Sequence, residues 1–334
     1  MNILTVKPSP HIRSGISTQK IMLAVIAALV PAVIAGTIVF GPRALFMVVF
    51  CALVSMMTEV VCCALMKKEG TVSDGSAMLT GVLLALNLPV TLPLWQAAVG
   101  CIFAIAVVKQ LFGGLGCNFA NPAITGRIFL LLSVGSDMTS WVKPFYYREL
   151  PLWGLFNVSG GSEIYALSSA TPLVSGDAGL LELFLGNTGG SIGETSALAL
   201  LIGGVFLIIA RIISPTTPFA YLGSLAVLTL AKVLLSGGDM TEIPYALLSG
   251  GVMLGAFFMA TDYVTTPITE KGKLIFGIGC GVLTFIIREF ASMPEGCSFS
   301  ILLMNLLTPY IDRFTKTKPI GAKINSKKAV KEEN

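Results

Sequence analysis

Gly81-Val-Leu-Leu-Ala-Leu-Asn-Leu-Pro-Val90-Thr91-Leu-Pro93 aligns without a gap on Gly255-Ala-Phe-Phe-Met-Ala-Thr-Asp-Tyr-Val264-Thr265-Thr-Pro267, so that the first glycine, the Val-Thr pair and the last proline coincide. Farther along, Gly116-Cys117-Asn118-Phe119 matches Gly296-Cys297-Ser298-Phe299 at nearly the same offset. Each match alone is weak, because glycine and proline recur by chance in apolar helices. Together and in order they favour an internal duplication.

Composition says what is duplicated. Hydrophobic residues make up 54% of the chain and charged residues 12%, against about 25% charged in soluble proteins, and the mean hydropathy is +0.83. This is an all-α polytopic membrane protein. The first apolar stretch, Ile21 to Phe40, is long enough to span and has no small-residue cleavage site, so it reads as a retained helix. The formal charge of +4 then indicates no nucleic-acid partner; the lysines and arginines set orientation in the lipid.

Apolar length and the Gly, Pro and charge breaks place spans near residues 21–40, 44–66, 75–89, 93–112, 122–134, 195–211, 219–236, 244–261, 273–291 and 297–312. The third, fifth and tenth of these about ten spans are short for a bilayer. A connection from Gly135 to Glu194 separates the fifth from the sixth, and a loop of that length is usually functional or disordered. With the N-terminus inside, Lys7, Arg13, Lys20, Lys67, Lys68, Lys109, Arg211, Lys271, Lys273 and the Arg313 to Lys331 tail fall on the cytoplasmic side. The other side carries chiefly Arg43, Lys143 and Arg148. Both ends are therefore expected inside and the long connection outside. Five spans per repeat is odd, so the two five-helix repeats must be inverted. The expected organisation is a first membrane repeat over 1–134, an extracytoplasmic loop over 135–194, a second repeat over 195–314 and a basic cytoplasmic tail over 315–334.

Inverted repeats with short, Gly/Pro-interrupted segments in matching positions point to a site at the repeat interface. In the first half these are Asp74 through Pro89, and Gly113-Gly-Leu-Gly-Cys-Asn-Phe-Ala-Asn-Pro122. Asn118 and Asn121 stand three apart just before Pro122, a favoured first helical residue. Two readings are open: Asn121 caps the helix, or both amides hydrogen-bond a planar heterocycle. Arg127, one turn farther on, could steady a reduced flavin anion or a phosphate, as a fixed cation near developing negative charge does.

In the long connection, Leu167-Ser168-Ser169-Ala170-Thr171-Pro172-Leu173 is a hydroxyl-rich turn. Proline fixes the backbone there and removes a donor, leaving the Thr171 hydroxyl on a rigid turn. It is either an acceptor for a covalently attached group or an ordinary loop turn, since Ser, Thr and Pro are common turn residues.

Gly113 to Arg127, followed by Ser168-Ser-Ala-Thr-Pro-Leu173, resembles the family of the RnfD subunit of the Rnf complex and of NqrB of the sodium-pumping NADH:quinone reductase. The resemblance covers nearly the whole chain, and the short length without a long N-terminal extension favours the RnfD branch. It implies an FMN joined covalently through its phosphate to Thr171 by a separate flavin transferase, with Ser168 and Ser169 beside it. Ser169 stands where many relatives carry Gly, which could slow attachment and leaves the acceptor intact. Asn118, Asn121 and Arg127 become candidates for a second, noncovalent flavin such as riboflavin. The resemblance further implies a bacterial inner-membrane subunit, not catalytic alone, that works with Rnf subunits of the A, B, C, E and G types. Such a complex couples electron transfer between ferredoxin and NAD to movement of Na⁺ or H⁺.

Other chemistry is thin. The seven cysteines, Cys51, Cys62, Cys63, Cys101, Cys117, Cys280 and Cys297, form no C-x-x-C pair and read as small buried hydrophobes, so no metal site is expected. The only histidine is His11 in the N-terminal tail. Charges in or at the ends of spans are functional candidates: Glu59, Lys109, Arg127, Lys232, Asp262, Arg288 and Glu289. Lys109, Asp262 and Glu289 read as boundary markers, and Glu59 could belong to an ion path. The rival reading is a channel or transporter of the inverted-repeat type that passes urea or ammonia, without redox chemistry; a third is an inert assembly subunit.

Overall fold

The computed structural model describes residues 17–68, 72–148, 179–291 and 296–316. These are helical, with no strand element among the described residues. An apolar chain in lipid must satisfy its backbone internally, and helices do so within one segment. We number the principal helices α1 Thr18–Phe40, α2 Pro42–Met66, α3 Ser76–Leu86, α4 Leu94–Ile102, α5 Pro122–Ser133, α6 Ala197–Ile209, α7 Thr216–Ser236, α8 Glu242–Leu248, α9 Val252–Leu254, α10 Glu270–Phe290 and α11 Gly296–Phe314. Helices α4 and α9 continue as π-helix over Phe103–Gln110 and Gly255–Met259. Side-chain caps open four of these helices, Ser17 at α1, Asn121 at α5, Ser196 at α6 and Thr269 at α10, of which Asn121 was the one read from sequence.

Three helices, α1, α2 and α7, are each long and apolar enough to cross a membrane, and α8 with α9 passes the same test as a bent pair. The eighth stretch, read from sequence as one span over 244–261, is therefore not continuous: its two pieces meet at 61°. Gly250 and Gly251, both in the left-handed region at φ 70° and 64°, make the break, a conformation that costs glycine nothing. The carbonyls freed there are captured. Arg288 donates to Ala246 (2.7 Å), Ser249 (2.9 Å) and Gly250 (3.2 Å). The intramembrane charge of Arg288 thus has a structural use. The tenth span is also longer than read: α11 covers nineteen residues, with Pro309 inside it.

Close helix approach relies on small residues. A methyl group on Gly36 would collide with the Ile192 carbonyl, and one on Gly203 with the Ala28 carbonyl. Because the end of α1 meets the chain just before α6, while its middle meets the middle of α6, the first helices of the two halves run antiparallel. The two Val-Thr turns are each held through a carbonyl, but by different elements of the two halves. Arg43, buried at the start of α2, donates to the carbonyls of Val90 (2.7 Å) and Leu92 (3.2 Å), and Thr308 donates to that of Thr265 (2.8 Å). Arg43 is thus a buried clamp on the first turn, not the exposed loop charge the sequence suggested.

The ends of the long connection belong to the bundle. Ser191 and Ile192 are buried, and the Ile192 and Gly193 amides donate to the carbonyls of Leu88 and Leu86 at the end of α3. On the other flank, Val142 and Tyr146 are buried too, with the Tyr146 hydroxyl pushed up to about 12 by burial, against the opposing pull of the Arg43 charge.

Candidate functional site

A cavity of about 90 Å³ lies where the two halves meet, between α1, α3, the start of α5, α6 and the π segment after α9. Its polar wall includes Ser76, Thr80, Lys109, Asn118, Asn121 and Asp262, and Phe257 and Phe258 supply aromatic surface. Asn121 Oδ1 accepts from the amides of Ala123 (3.0 Å) and Ile124 (3.4 Å), while its Nδ2 donates to the Met259 carbonyl (3.3 Å). So the side chain caps α5 and ties it to the other half of the molecule. Asn118 Nδ2 donates to the Ala120 carbonyl (3.0 Å), which turns the loop before Pro122.

Arg127 does not line this cavity with the two asparagines. Its Nη1 donates to Asn87 Oδ1 (3.2 Å) and Ser298 Oγ (2.8 Å), and it is buried. A Cβ on Gly251 would lie 3.9 Å from both Arg127 Nη1 and the Glu194 carboxylate, so an acid and a base converge on the broken helix. Arg127 therefore joins α3, α5 and α11, the last two belonging to different halves. Asn305, with its amide oriented to satisfy both neighbours, donates to the Thr265 carbonyl (3.3 Å) and accepts from the Asn121 amide (3.1 Å).

Lys109 and Glu59 form a second polar centre. Lys109 Nζ is 2.7 Å from Glu59 Oε1 and 2.7 Å from Ser76 Oγ, and Gln110 Nε2 donates to the same Glu59 oxygen at 2.9 Å. The Lys109 and Glu59 side chains are 3% and 0% exposed. Lys109 is thus a buried ion-pair partner, not the solvated boundary charge that its position suggested. Asp262 sits in the connection after the π segment; burial pushes its carboxyl up, and hydrogen bonds from Thr265 and the Val264 and Tyr263 amides oppose that.

Sequence reading missed Asn87, Ser298, Asn305 and Glu194. One rule pointed toward them: a charge buried in a membrane bundle must face a partner, so Arg127 required polar groups on neighbouring helices. Five of the seven cysteines, Cys51, Cys63, Cys101, Cys280 and Cys297, are buried as read, whereas Cys62 is half-buried and Cys117, in the loop before Pro122, is exposed. No group of three or more His, Cys, Asp or Glu able to hold a metal occurs among the described residues. Thr171, Ser168 and Ser169 lie outside the described residues.

The wall offers amide and ammonium donors and a carboxylate acceptor beside two phenylalanine rings, groups that pair with the edge of a planar heterocycle.

Apolar helices, a broken helix at the centre and buried charges joining two halves define a polytopic helical membrane protein with its polar groups at an internal interface. The chain belongs to the NQR2, RnfD, RnfE family, whose profile matches residues 5–321. It is 49% identical over 327 residues to the Acetobacterium woodii protein named as the D-type subunit of the Na(+)-translocating ferredoxin:NAD(+) oxidoreductase complex, covering 95% of each chain. It is 39% identical over 337 residues to the Clostridium ljungdahlii protein named as the D-type subunit of the proton-translocating ferredoxin:NAD(+) oxidoreductase complex, covering 96% of this chain and 97% of that one. The D-type subunit of the ion-translocating oxidoreductase complex of Stutzerimonas stutzeri is 39% identical over 340 residues, with 94% and 95% covered.

Proposed function

We propose that this chain is a membrane subunit of an Rnf-type complex, not catalytic alone, that carries electrons through FMN on Thr171. The complex would couple electron transfer between ferredoxin and NAD to ion movement. What carries this reading is similarity along nearly the full length to proteins named as D-type subunits of ion-translocating oxidoreductase complexes. Those names differ on the coupling ion, Na⁺ in one and H⁺ in another, and both remain open for this chain. Partners in this reading are the other subunits of the complex, of the A, B, C, E and G types, and the flavin transferase that matures Thr171. A phosphoester tether leaves the flavin ring free for reversible oxidation and reduction, while the protein supplies position and environment. Pro172, directly after Thr171 in sequence, fixes its own φ and lacks a backbone donor, which favours a restrained acceptor.

The chain's own residues would then act as follows. Asn118, Asn121 and Lys109 offer hydrogen-bond donors to a second, noncovalent flavin such as riboflavin. The apolar wall of Phe257 and Phe258 limits water there. Arg127 holds the two halves together beside the broken helix. The antiparallel α1 and α6 support inverted repeats; the reading sets them as two five-helix repeats in a bacterial inner membrane with both termini cytoplasmic, the arrangement that the distribution of basic residues favours.

Colour tests the reading. Denatured protein from cells that contain the transferase should fluoresce as flavin on a gel, whereas a urea or ammonia channel should stay dark; a dark band would remove the redox role. Topology has its own check. Ser175→Cys in whole cells should react with an impermeant thiol reagent, and labelling only after lysis would place the long connection inside. Asn121→Ala should deplete a noncovalent flavin or slow electron transfer while FMN on Thr171 survives. A cap alone would cost about 1 kcal/mol and leave turnover per assembled complex unchanged.

A further inference from the structure

A much smaller cavity lies at the break in the eighth stretch, where the end of the long connection meets the end of α8. Thr188, Glu194, Thr195, Ser249 and Gly250 supply its polar wall, and two leucines face it from the apolar side. Its volume is about 10 Å³, the room of one water. Thr195 is 3% exposed, and its hydroxyl oxygen has no hydrogen-bond partner among the described residues. Buried polar groups of folded proteins are paired, and ordered water pairs those that no protein group reaches.

Charge decides what fills the space. In membrane proteins the carbonyls freed at an interrupted helix commonly hold a small cation. Here they are taken, because Ser249 and Gly250 accept from Arg288 at 2.9 and 3.2 Å. Arg127 closes in from the other side of the break, with Nη1 3.9 Å from where a Cβ on Gly251 would stand. Two guanidiniums against the one carboxylate of Glu194 leave no negative charge for a cation to neutralise, whereas a neutral molecule enters without Coulomb cost. The acceptors also suit water. Glu194 Oε2 accepts from Ser191 (2.7 Å), and a carboxylate has sites for further bonds. Ser249 Oγ sends its own proton to the Tyr245 carbonyl (2.6 Å) and so presents a lone pair.

We infer that this cavity is the binding site of a single water molecule and of no cation: the water accepts from the Thr195 hydroxyl and donates to the Glu194 carboxylate and to Ser249 Oγ. It thereby ties the end of the long connection and the start of α6 to the broken helix. The assignment stands apart from where flavin is attached and from which ion the complex moves.

The test is a cryo-electron-microscopy map of the complete complex, at a resolution that shows ordered waters, for the wild type, Thr195→Val and Thr195→Ser. The wild type should show one peak within hydrogen-bond distance of Thr195 Oγ1, a Glu194 carboxylate oxygen and Ser249 Oγ. Thr195→Ser should keep it, and Thr195→Val, which preserves shape and removes the hydroxyl, should lose it. No peak in the wild type, or a side chain from residues 149–178 in the cavity, would overturn the inference. A wild-type map with N-methylglucamine in place of all sodium and potassium separates water from a cation: the peak should persist, and one that disappears is a bound cation and refutes the neutral site. In solution, amide hydrogen exchange of the peptide covering Leu248 to Gly251 should rise several-fold in Thr195→Val and match the wild type in Thr195→Ser; equal exchange in all three refutes the tie. Should Thr195→Val fail to assemble, the wild-type and serine maps decide: a peak in both supports the site, and its absence from either refutes it.

Discussion

Complex purified from cells that make the flavin transferase is expected to lose all covalently bound flavin on this chain when Thr171 is replaced by alanine, while chain level and membrane insertion stay as in the wild type. The two parts of that result have separate causes. A phosphoester needs the hydroxyl oxygen of Thr171, and neither Ser168 nor Ser169 stands directly before Pro172, so no neighbour offers an equivalent acceptor. A hydroxyl whose use is the tether and not packing contributes within about 0.5 kcal/mol to stability. In-gel fluorescence of the denatured chain reads the first part, and immunoblotting of washed membranes reads the second. Retained fluorescence would move the tether elsewhere, and a vanished chain would mean that Thr171 supports the fold.

The largest stability effect is expected at the buried Glu59–Lys109 ion pair. Lys109→Met removes the ammonium 2.7 Å from Glu59 Oε1 and leaves that buried oxygen with the Gln110 amide at 2.9 Å. Removing one partner of a buried pair costs about 3–5 kcal/mol, whereas replacing both by neutral groups of similar size can be close to neutral. The single variant should therefore lower the thermal stability of the purified complex sharply, and Glu59→Gln combined with Lys109→Met should recover most of the loss. A single variant as stable as the wild type would show that water reaches Glu59 and that the pair is not sealed.

Much of the helical plan was legible because apolar length, caps and prolines are local signals. Asn121-Pro122 reads as a helix start and is one. The break in the eighth stretch was not legible. Two adjacent glycines in an apolar run are compatible with a continuous helix, and only the Arg288 side chain, far along the chain, makes the left-handed pair at Gly250 and Gly251 worthwhile by capturing the carbonyls it frees. The same limit applies to charges. Positional counting put Lys109 and Arg43 at the membrane boundary, yet one is bonded to Glu59 and the other to the carbonyls of Val90 and Leu92. Counting basic residues reports which side of the lipid a loop lies on; it does not report whether a cation is buried by its tertiary partner.

At the candidate site the two asparagines were found by their spacing before Pro122, and the cavity wall does contain both. Arg127 was grouped with them because it follows on the same helix. On α5, however, its side chain leaves toward Asn87 and Ser298. Helical position fixes where a side chain starts, and the partner groups on α3 and α11 decide where a buried guanidinium ends.

The central claim is the flavin tether on Thr171, and the most direct measurement is mass spectrometry of the peptide containing Ser168 to Leu173, taken from protein made in cells with the transferase. The account predicts that this peptide carries the added mass of FMN less one water, localised by fragmentation to Thr171. An unmodified peptide from those cells, or an adduct localised to Ser168 or Ser169, would contradict it.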